Sequence, residues 1–111
     1  MKIISRSEWG ATPFTPEQVF WPSGVSLHVH HTAGPQNQPV KEIERFHIKV
    51  RGWPAIGYSY LVDARGNIYE GRGPNVKGAH SPPVNDQPSV ALIGLYSIIA
   101  PSKAQRAAVW D

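Results

Sequence analysis

The amino-acid sequence predicts an α/β (α+β) domain, on three observations. Leu27-His28-Val29-His30-His31-Thr32 alternates in the manner of a half-buried strand. Residues 40–51 repeat apolar side chains at 40, 43, 46 or 47, and 50, the spacing of one helix face. Two strand-like runs, 58–62 and 67–70, flank Asp63-Ala64-Arg65-Gly66, and residues 89–96 are apolar on both faces, as in a central strand. With 111 residues the chain is one domain at most, residues 1–111, within the size range of a single core.

In chain order, residues 5–22 hold Pro13, Pro16 and Pro22 with Trp9 and Trp21, which predicts an irregular arm pinned to the body by its indoles. The strand that follows puts Leu27, Val29 and His31 on one face and His28 and His30 on the other. The adjacent imidazoles of His30 and His31 therefore point apart. Their strand end, just before Gly34 and Pro35, is the first candidate for a site. A neutral imidazole there is either a metal ligand or an ordinary hydrogen-bonded side chain at a sheet edge. A polar loop at 34–39 leads into the helix of 40–51, and Gly52 supplies its stop.

Gly66 suits the left-handed position of a hairpin turn between the next two strands. Residues 71–83, rich in Gly and Pro, predict a long loop, the kind of segment on which function concentrates. Ser102-Lys103-Ala104-Gln105 is a capping-box sequence, with Ser102 as N-cap and Gln105 at the third helical position, opening a helix through Trp110. That helix has barely two turns and meets no Gly or Pro before Asp111. The expectation is that the chain is the front part of a longer domain.

Eleven Lys and Arg against eight Asp and Glu leave a formal charge of +3, with the cations scattered. No basic run marks a nucleic-acid partner, whereas mild basicity suits a polyanionic surface such as an acidic cell wall. Without cysteine, neither a disulfide frame nor a thiolate metal site can be built, so any zinc must draw on His, Asp, Glu or water. No stretch approaches the ~18 apolar residues of a membrane span. Residues 1–6 lack the apolar core of a signal peptide, so localisation stays unassigned.

Three blocks go beyond pattern: Ile4-Ser5-Arg6-Ser7-Glu8-Trp9-Gly10-Ala11; Val29-His30-His31-Thr32-Ala33-Gly34; and Phe46-His47 through Gly52-Trp53-Pro54-Ala55-Ile56-Gly57-Tyr58 to Tyr69-Glu70-Gly71-Arg72-Gly73 and Gly78-Ala79-His80. In this order, over nearly the whole chain, they closely resemble the type 2 N-acetylmuramoyl-L-alanine amidases and the related peptidoglycan recognition proteins. The resemblance implies a mixed central β-sheet flanked by helices, with zinc at the floor of a groove that holds peptidoglycan. It also implies zinc-dependent hydrolysis of the amide between N-acetylmuramic acid and L-alanine. The alternative it allows is a non-catalytic peptidoglycan-binding module. Zinc lowers the pKa of its bound water to about 7 and polarises the carbonyl, which brings amide hydrolysis within reach at neutral pH.

By that resemblance His30 is the first zinc ligand, and His31 and Thr32 line the groove. Tyr58 is the catalytic tyrosine, whose hydroxyl orients water or stabilises the oxyanion; the alternative from the sequence alone is a core tyrosine at a strand start. His80 contacts substrate beside the metal, and His47, Arg51 and Asn85 resemble stem-peptide contacts. Arg51 could pair bidentately with a carboxylate or simply be solvated, and His47 could be a satisfied helix histidine. Gly52-Trp53 resembles the form associated with diaminopimelate-type stem peptides, with Gly52 leaving room for the extra carboxylate.

Active members carry two further ligands, a histidine in a Gly-His-Arg type strand and a cysteine or aspartate before a Pro-Gly turn, and neither segment lies within these residues. The expected zinc site is thus incomplete, since a catalytic zinc takes about three protein ligands. A partial amidase, a zinc-free wall binder, or a domain completed by a partner chain would each account for this, the first being favoured. A sheet short of its last elements would expose apolar surface and self-associate. The bare N-terminus and the lack of cysteine point to a bacterial or phage source, with action on the bacterial wall.

Overall fold

A computed structural model of the chain describes residues 2–96 and 101–110. Its strands are β1 (Ile3–Ile4), β2 (His28–His31), β3 (Tyr60–Val62), β4 (Ile68–Glu70) and β5 (Ser89–Leu92), and its helices α1 (Arg6–Trp9), α2 (Val40–Lys49) and α3 (Lys103–Trp110). They form one five-stranded mixed sheet in the order β1-β4-β3-β5-β2. β5 runs parallel to both its neighbours, with Ala91 opposite His30 on one side and Leu61 on the other. The β3–β4 hairpin is antiparallel and turns through Gly66 at φ +87°.

Every residue of β5 is buried, which is why residues 89–92 are apolar or small on both faces. Ala91 faces α2 together with Leu61, Ile56, Val40 and Ile43, and Ile93 joins the same cluster. Val90 and Leu92 face α3 with Val62 and Ile68. The second face is covered only in part by the described residues. Ile3, Leu27 and Val29 are each more than 40% exposed there, and a hollow of about 260 Å³ opens between Leu27, Val90 and Val109. No helix among the described residues is long and apolar enough to cross a membrane.

Helix α2 buries Val40, Ile43, Glu44 and His47, the i, i+3, i+4, i+7 set of one face. It ends two residues short of the expected boundary. The Val50 amide still bonds the Phe46 carbonyl, and Gly52 then turns the chain at φ +72° so that Trp53 N–H reaches the His47 carbonyl at 3.1 Å. Of the two candidates for the apolar stripe, His47 is buried and Phe46 is 44% exposed. The imidazole can be buried because its Nδ1 accepts the Gly57 amide at 2.8 Å. Burial, helped by the charges of Arg51 and Arg72, lowers the His47 pKa to about 4.

The N-terminal arm of residues 5–22 is less irregular than expected, since it contains α1, and β1 lies just before it. Two residues of β1 are too few to show a pattern. The start of α1, however, is marked by the same capping box that marks α3: Ser5 Oγ accepts the Glu8 amide at 3.2 Å and Glu8 Oε1 accepts the Ser5 amide at 3.0 Å. Trp9 Nε1 donates to the Glu70 carbonyl and Trp21 Nε1 to the Asp86 carbonyl, so the indoles pin the arm as expected. Buried Glu44 adds a third anchor by accepting from the Thr12 amide and from Lys41 Nζ, both at 2.8 Å.

The Ser102 box also forms, Ser102 Oγ accepting the Gln105 amide at 3.1 Å and Gln105 Oε1 the Ser102 amide at 3.0 Å. The helix runs to Trp110 as expected, and Asp111 lies outside the described residues. Gln105 is 0% exposed, and its Nε2 donates to the carbonyls of Val62 and Ile93 while the Tyr96 hydroxyl stands 2.8 Å from its Oε1. One carboxamide thus ties α3 to β3 and to the chain beyond β5. Gln105→Leu removes these bonds and leaves the Ser102 amide without its acceptor, which lowers the free energy of unfolding by about 1 to 3 kcal/mol in urea titration; a loss under about 0.5 kcal/mol would contradict this role.

His47 makes a pH prediction. Its folded pKa lies below the ordinary value of about 6.5, so between roughly pH 6.5 and 4 the unfolded chain takes up a proton that the folded one refuses. The stability due to the neutral ring is complete above that window and is lost as pH falls through it. The urea midpoint should therefore drop less steeply for His47→Gln than for wild type between about pH 7 and 4.5, and equal slopes would refute the assignment.

Candidate functional site

A groove of about 370 Å³ runs past the C-terminal end of α2, lined by His47, Arg51, Trp53, Tyr58, Ala79, His80, Pro82 and Asn85. Its walls come from segments far apart in sequence. Gly57 is what brings them together: a Cβ built on it would stand 2.3 Å from the Ala79 carbonyl oxygen, so only glycine lets the 78–80 segment close over the approach to β3. The Ala79 amide donates to the Gly57 carbonyl at 2.9 Å. Asn85 closes the loop from its other end, its Oδ1 accepting the amides of His80 and Ser81 at 2.9 and 2.8 Å and its carbonyl accepting the Gly78 amide.

His80 is thereby placed against His30, with Nδ1 3.0 Å from His30 Nε2, and its own Nε2 is 3.1 Å from the Gln87 carbonyl oxygen. A carbonyl only accepts, so His80 carries its proton on Nε2 and offers the Nδ1 lone pair. His30 Nε2–H is then the donor between the rings. Burial lowers the pKa of His30, with the neighbouring His80, His28 and His31 adding to it. Burial likewise lowers His80, against the opposing pull of its hydrogen bond to Gln87. Both rings are neutral at neutral pH.

Tyr58 stands between the histidines, its ring centroid 5.8 Å from that of His30 and 5.5 Å from that of His47. Burial raises its pKa, although Arg51 pulls the other way. The hydroxyl accordingly keeps its proton and can donate it. Arg51 is exposed, and its guanidinium lies 5.6 Å from the Phe46 ring centroid and 5.7 Å from that of Trp53. Flanked in this way, it is a cation held ready for an anionic partner.

Of the residues singled out in the sequence, His47, Arg51, Trp53, Tyr58, His80 and Asn85 share the groove, and His30 joins them through His80. Gly52 is exposed, with no heavy atom within 4 Å of where a Cβ would stand. His31 and Thr32 do not face the groove. Strand alternation turns His31 to the α3 face, where Nδ1 accepts the Tyr96 amide at 2.9 Å, and Thr32 Oγ1 accepts the Gly94 amide at 3.0 Å. Two further residues belong to the cluster, His28 and Gln87, whose Nε2 and Oε1 are 2.5 Å apart. The alternation places His28 beside His30, whereas Gln87, in an irregular loop, has no sequence signal.

A larger hollow of about 680 Å³ lies near the β3–β4 turn and the start of α2. Its carboxylate, Asp63, is already occupied by the amides of Arg65 and Asn67, the Asn67 side chain and the Tyr69 hydroxyl. Converging polar groups therefore favour the histidine groove as the site. Zinc would require about three protein ligands. His30 Nε2 is engaged by His80, and no group of three His, Cys, Asp or Glu among the described residues is placed to hold an ion. The described residues do not by themselves fit a zinc centre.

No family model matches the chain. The sequence is 38% identical over 121 residues to the N-acetylmuramoyl-L-alanine amidase of Sus scrofa, covering 98% of this chain and 20% of that protein. Drosophila PGRP-LB shares the fold with a TM-score of 0.87 and 36% identity, over 97% of this chain and 69% of that one. Peptidoglycan recognition protein LE, solved in complex with tracheal cytotoxin (monomeric diaminopimelic acid-type peptidoglycan), gives a TM-score of 0.85 and 32% identity over 96% of this chain and 68% of its own. The chain thus spans only a fifth of the length of its porcine relative. At 36 to 38% identity over nearly the whole chain, and with the fold shared, the chain belongs to the family of N-acetylmuramoyl-L-alanine amidases and peptidoglycan recognition proteins.

Proposed function

We propose that the groove binds the stem peptide of bacterial peptidoglycan, and that the peptide is of the diaminopimelate type. The observation that carries this reading is the convergence on one groove of a cation, Arg51, with the polar side chains of His47, Tyr58, His80 and Asn85. A stem peptide offers what these groups recognise, namely amide carbonyls, amide N–H groups and carboxylates. Diaminopimelate differs from lysine by one added carboxylate, and the open space at Gly52 lies next in sequence to the guanidinium that would receive it. Bidentate pairing there would be charge-assisted on both sides. The diaminopimelic acid-type ligand in the complex of recognition protein LE supports the same choice.

Hydrolysis of the amide between N-acetylmuramic acid and L-alanine is the second reading, favoured by His30 and Tyr58 lying side by side. The protonated Tyr58 hydroxyl is suited to donate to an oxyanion. Zinc, as the cofactor of that reaction, would take His30 as one ligand and would need its other donors from outside the described residues. No step is derived through it.

Titration calorimetry with muramyl peptides tests the first reading. Wild type should prefer the diaminopimelate peptide to its lysine counterpart, and Arg51→Ala should cost about 10-fold to 100-fold in affinity for the former with little change for the latter. Equal affinity of wild type for the two would exclude the preference, and no binding of either would exclude the function. Zinc titration beside His30→Ala, with chromatographic detection of released stem peptide, tests the second. One-to-one zinc binding that is lost in the variant, together with peptide release, would establish the amidase; neither in the wild type would leave a binding module.

A further inference from the structure

We infer that Gln87 is a positioning residue of the groove, whose two oxygens orient the imidazoles of His80 and His28. The inference rests on the stem-peptide reading for its affinity consequence only. Gln87 is half-buried in the loop that leads into β5, and its backbone is fixed from both sides: its amide donates to the Val84 carbonyl at 3.0 Å, and the next carbonyl, that of Pro88, accepts the His28 amide at 3.0 Å. Thus anchored, the main-chain oxygen faces His80 Nε2 at 3.1 Å and the side-chain Oε1 faces His28 Nε2 at 2.5 Å. One residue therefore addresses two rings whose centroids are 5.9 Å apart.

Both oxygens have lone pairs and no proton, so each ring must present Nε2–H to Gln87 and keep its own lone pair on Nδ1. For His80 that lone pair is the one that meets His30, so the proton order His30 to His80 to Gln87 is fixed by the final acceptor. The backbone oxygen would hold His80 in any side-chain variant. What the carboxamide adds is His28, the ring packed at a tilt of 38° against His80. Once Oε1 is removed, His28 loses its acceptor, and the ring that supports His80 from the β2 side is released. His80, a groove wall, then keeps its hydrogen bonds to His30 and the Gln87 carbonyl but loses the fixed ring packed against it.

Three variants separate positioning from bulk. Gln87→Leu keeps the volume without an acceptor, Gln87→Ala removes both, and Gln87→Glu keeps an acceptor oxygen. Imidazole ¹⁵N spectra should show the Nε2–H tautomer for His28 and His80 in wild type. In Gln87→Leu and Gln87→Ala, His80 should keep that tautomer while His28 becomes a mixture, and Gln87→Glu should restore His28. Affinity for a diaminopimelate-containing muramyl tripeptide should weaken about threefold to tenfold in the first two variants and recover in the third. An Nδ1–H tautomer for His28 in wild type, a His28 tautomer unchanged by Gln87→Leu, or unchanged affinity despite a changed tautomer would each overturn the inference. Failure of wild type to bind the tripeptide would instead refute the stem-peptide reading, and the tautomer series would still decide whether Gln87 orients the two rings.

Discussion

The parallel pairing of β5 with both β3 and β2 is the constraint on which the rest of the structure depends. It sets Val90 opposite Val29 and Tyr60, so that all three strands begin at one edge of the sheet. What precedes or opens each strand is then gathered there: Tyr58 before β3, His80, Asn85 and Gln87 before β5, and His28 and His30 within β2. Helix α2 connects the parallel strands β2 and β3, so it must run back across the sheet and deliver His47 and Arg51 to the same edge. The groove is a consequence of that register. The same pairing explains the composition of β5, a strand hydrogen-bonded on both sides and covered on both faces that has no position left for a solvated side chain.

Within that frame, a few close approaches replace bulk as the means of holding the site. Gly57 admits the Ala79 carbonyl where no side chain would fit, and Asn85 ties the ends of the loop by three backbone hydrogen bonds. These are contacts of polar backbone in a sheltered place, where an unmade hydrogen bond is costly. The loop is in this way fixed without an extensive apolar core of its own. On the opposite face, Gln105 does the equivalent for α3, adding a donor to the carbonyls of Val62 and Ile93.

The electrostatics of the groove follow from partial burial. Imidazoles packed beside one another and beside arginines are held neutral, and a sheltered phenol keeps its proton. Arg51, an exposed cation lining the groove, stands at its rim between two aromatic rings. A groove with neutral donors and acceptors inside and a positive charge at the mouth suits a peptide whose backbone is neutral and whose side chain ends in a carboxylate.

Much of the fold was legible in the sequence by itself, because it is written in local rules. The period of residues 40–51, the turn glycine at 66 and the Ser102 capping box each fixed an element, and alternation alone separated His30 from His31. The same Ser-x-x-Glu signature at Ser5 was as readable but lay in a proline-rich arm. Only the tertiary structure decided which end of the strands holds the groove. The sequence pointed to the rim after His31, whereas the parallel register gathers the loops at the opposite edge, where β2, β3 and β5 begin. It alone turned His31 and Thr32 to partners of their own and drew in Gln87. Long-range pairing joins residues tens of positions apart, and no local pattern encodes which loop will meet which strand.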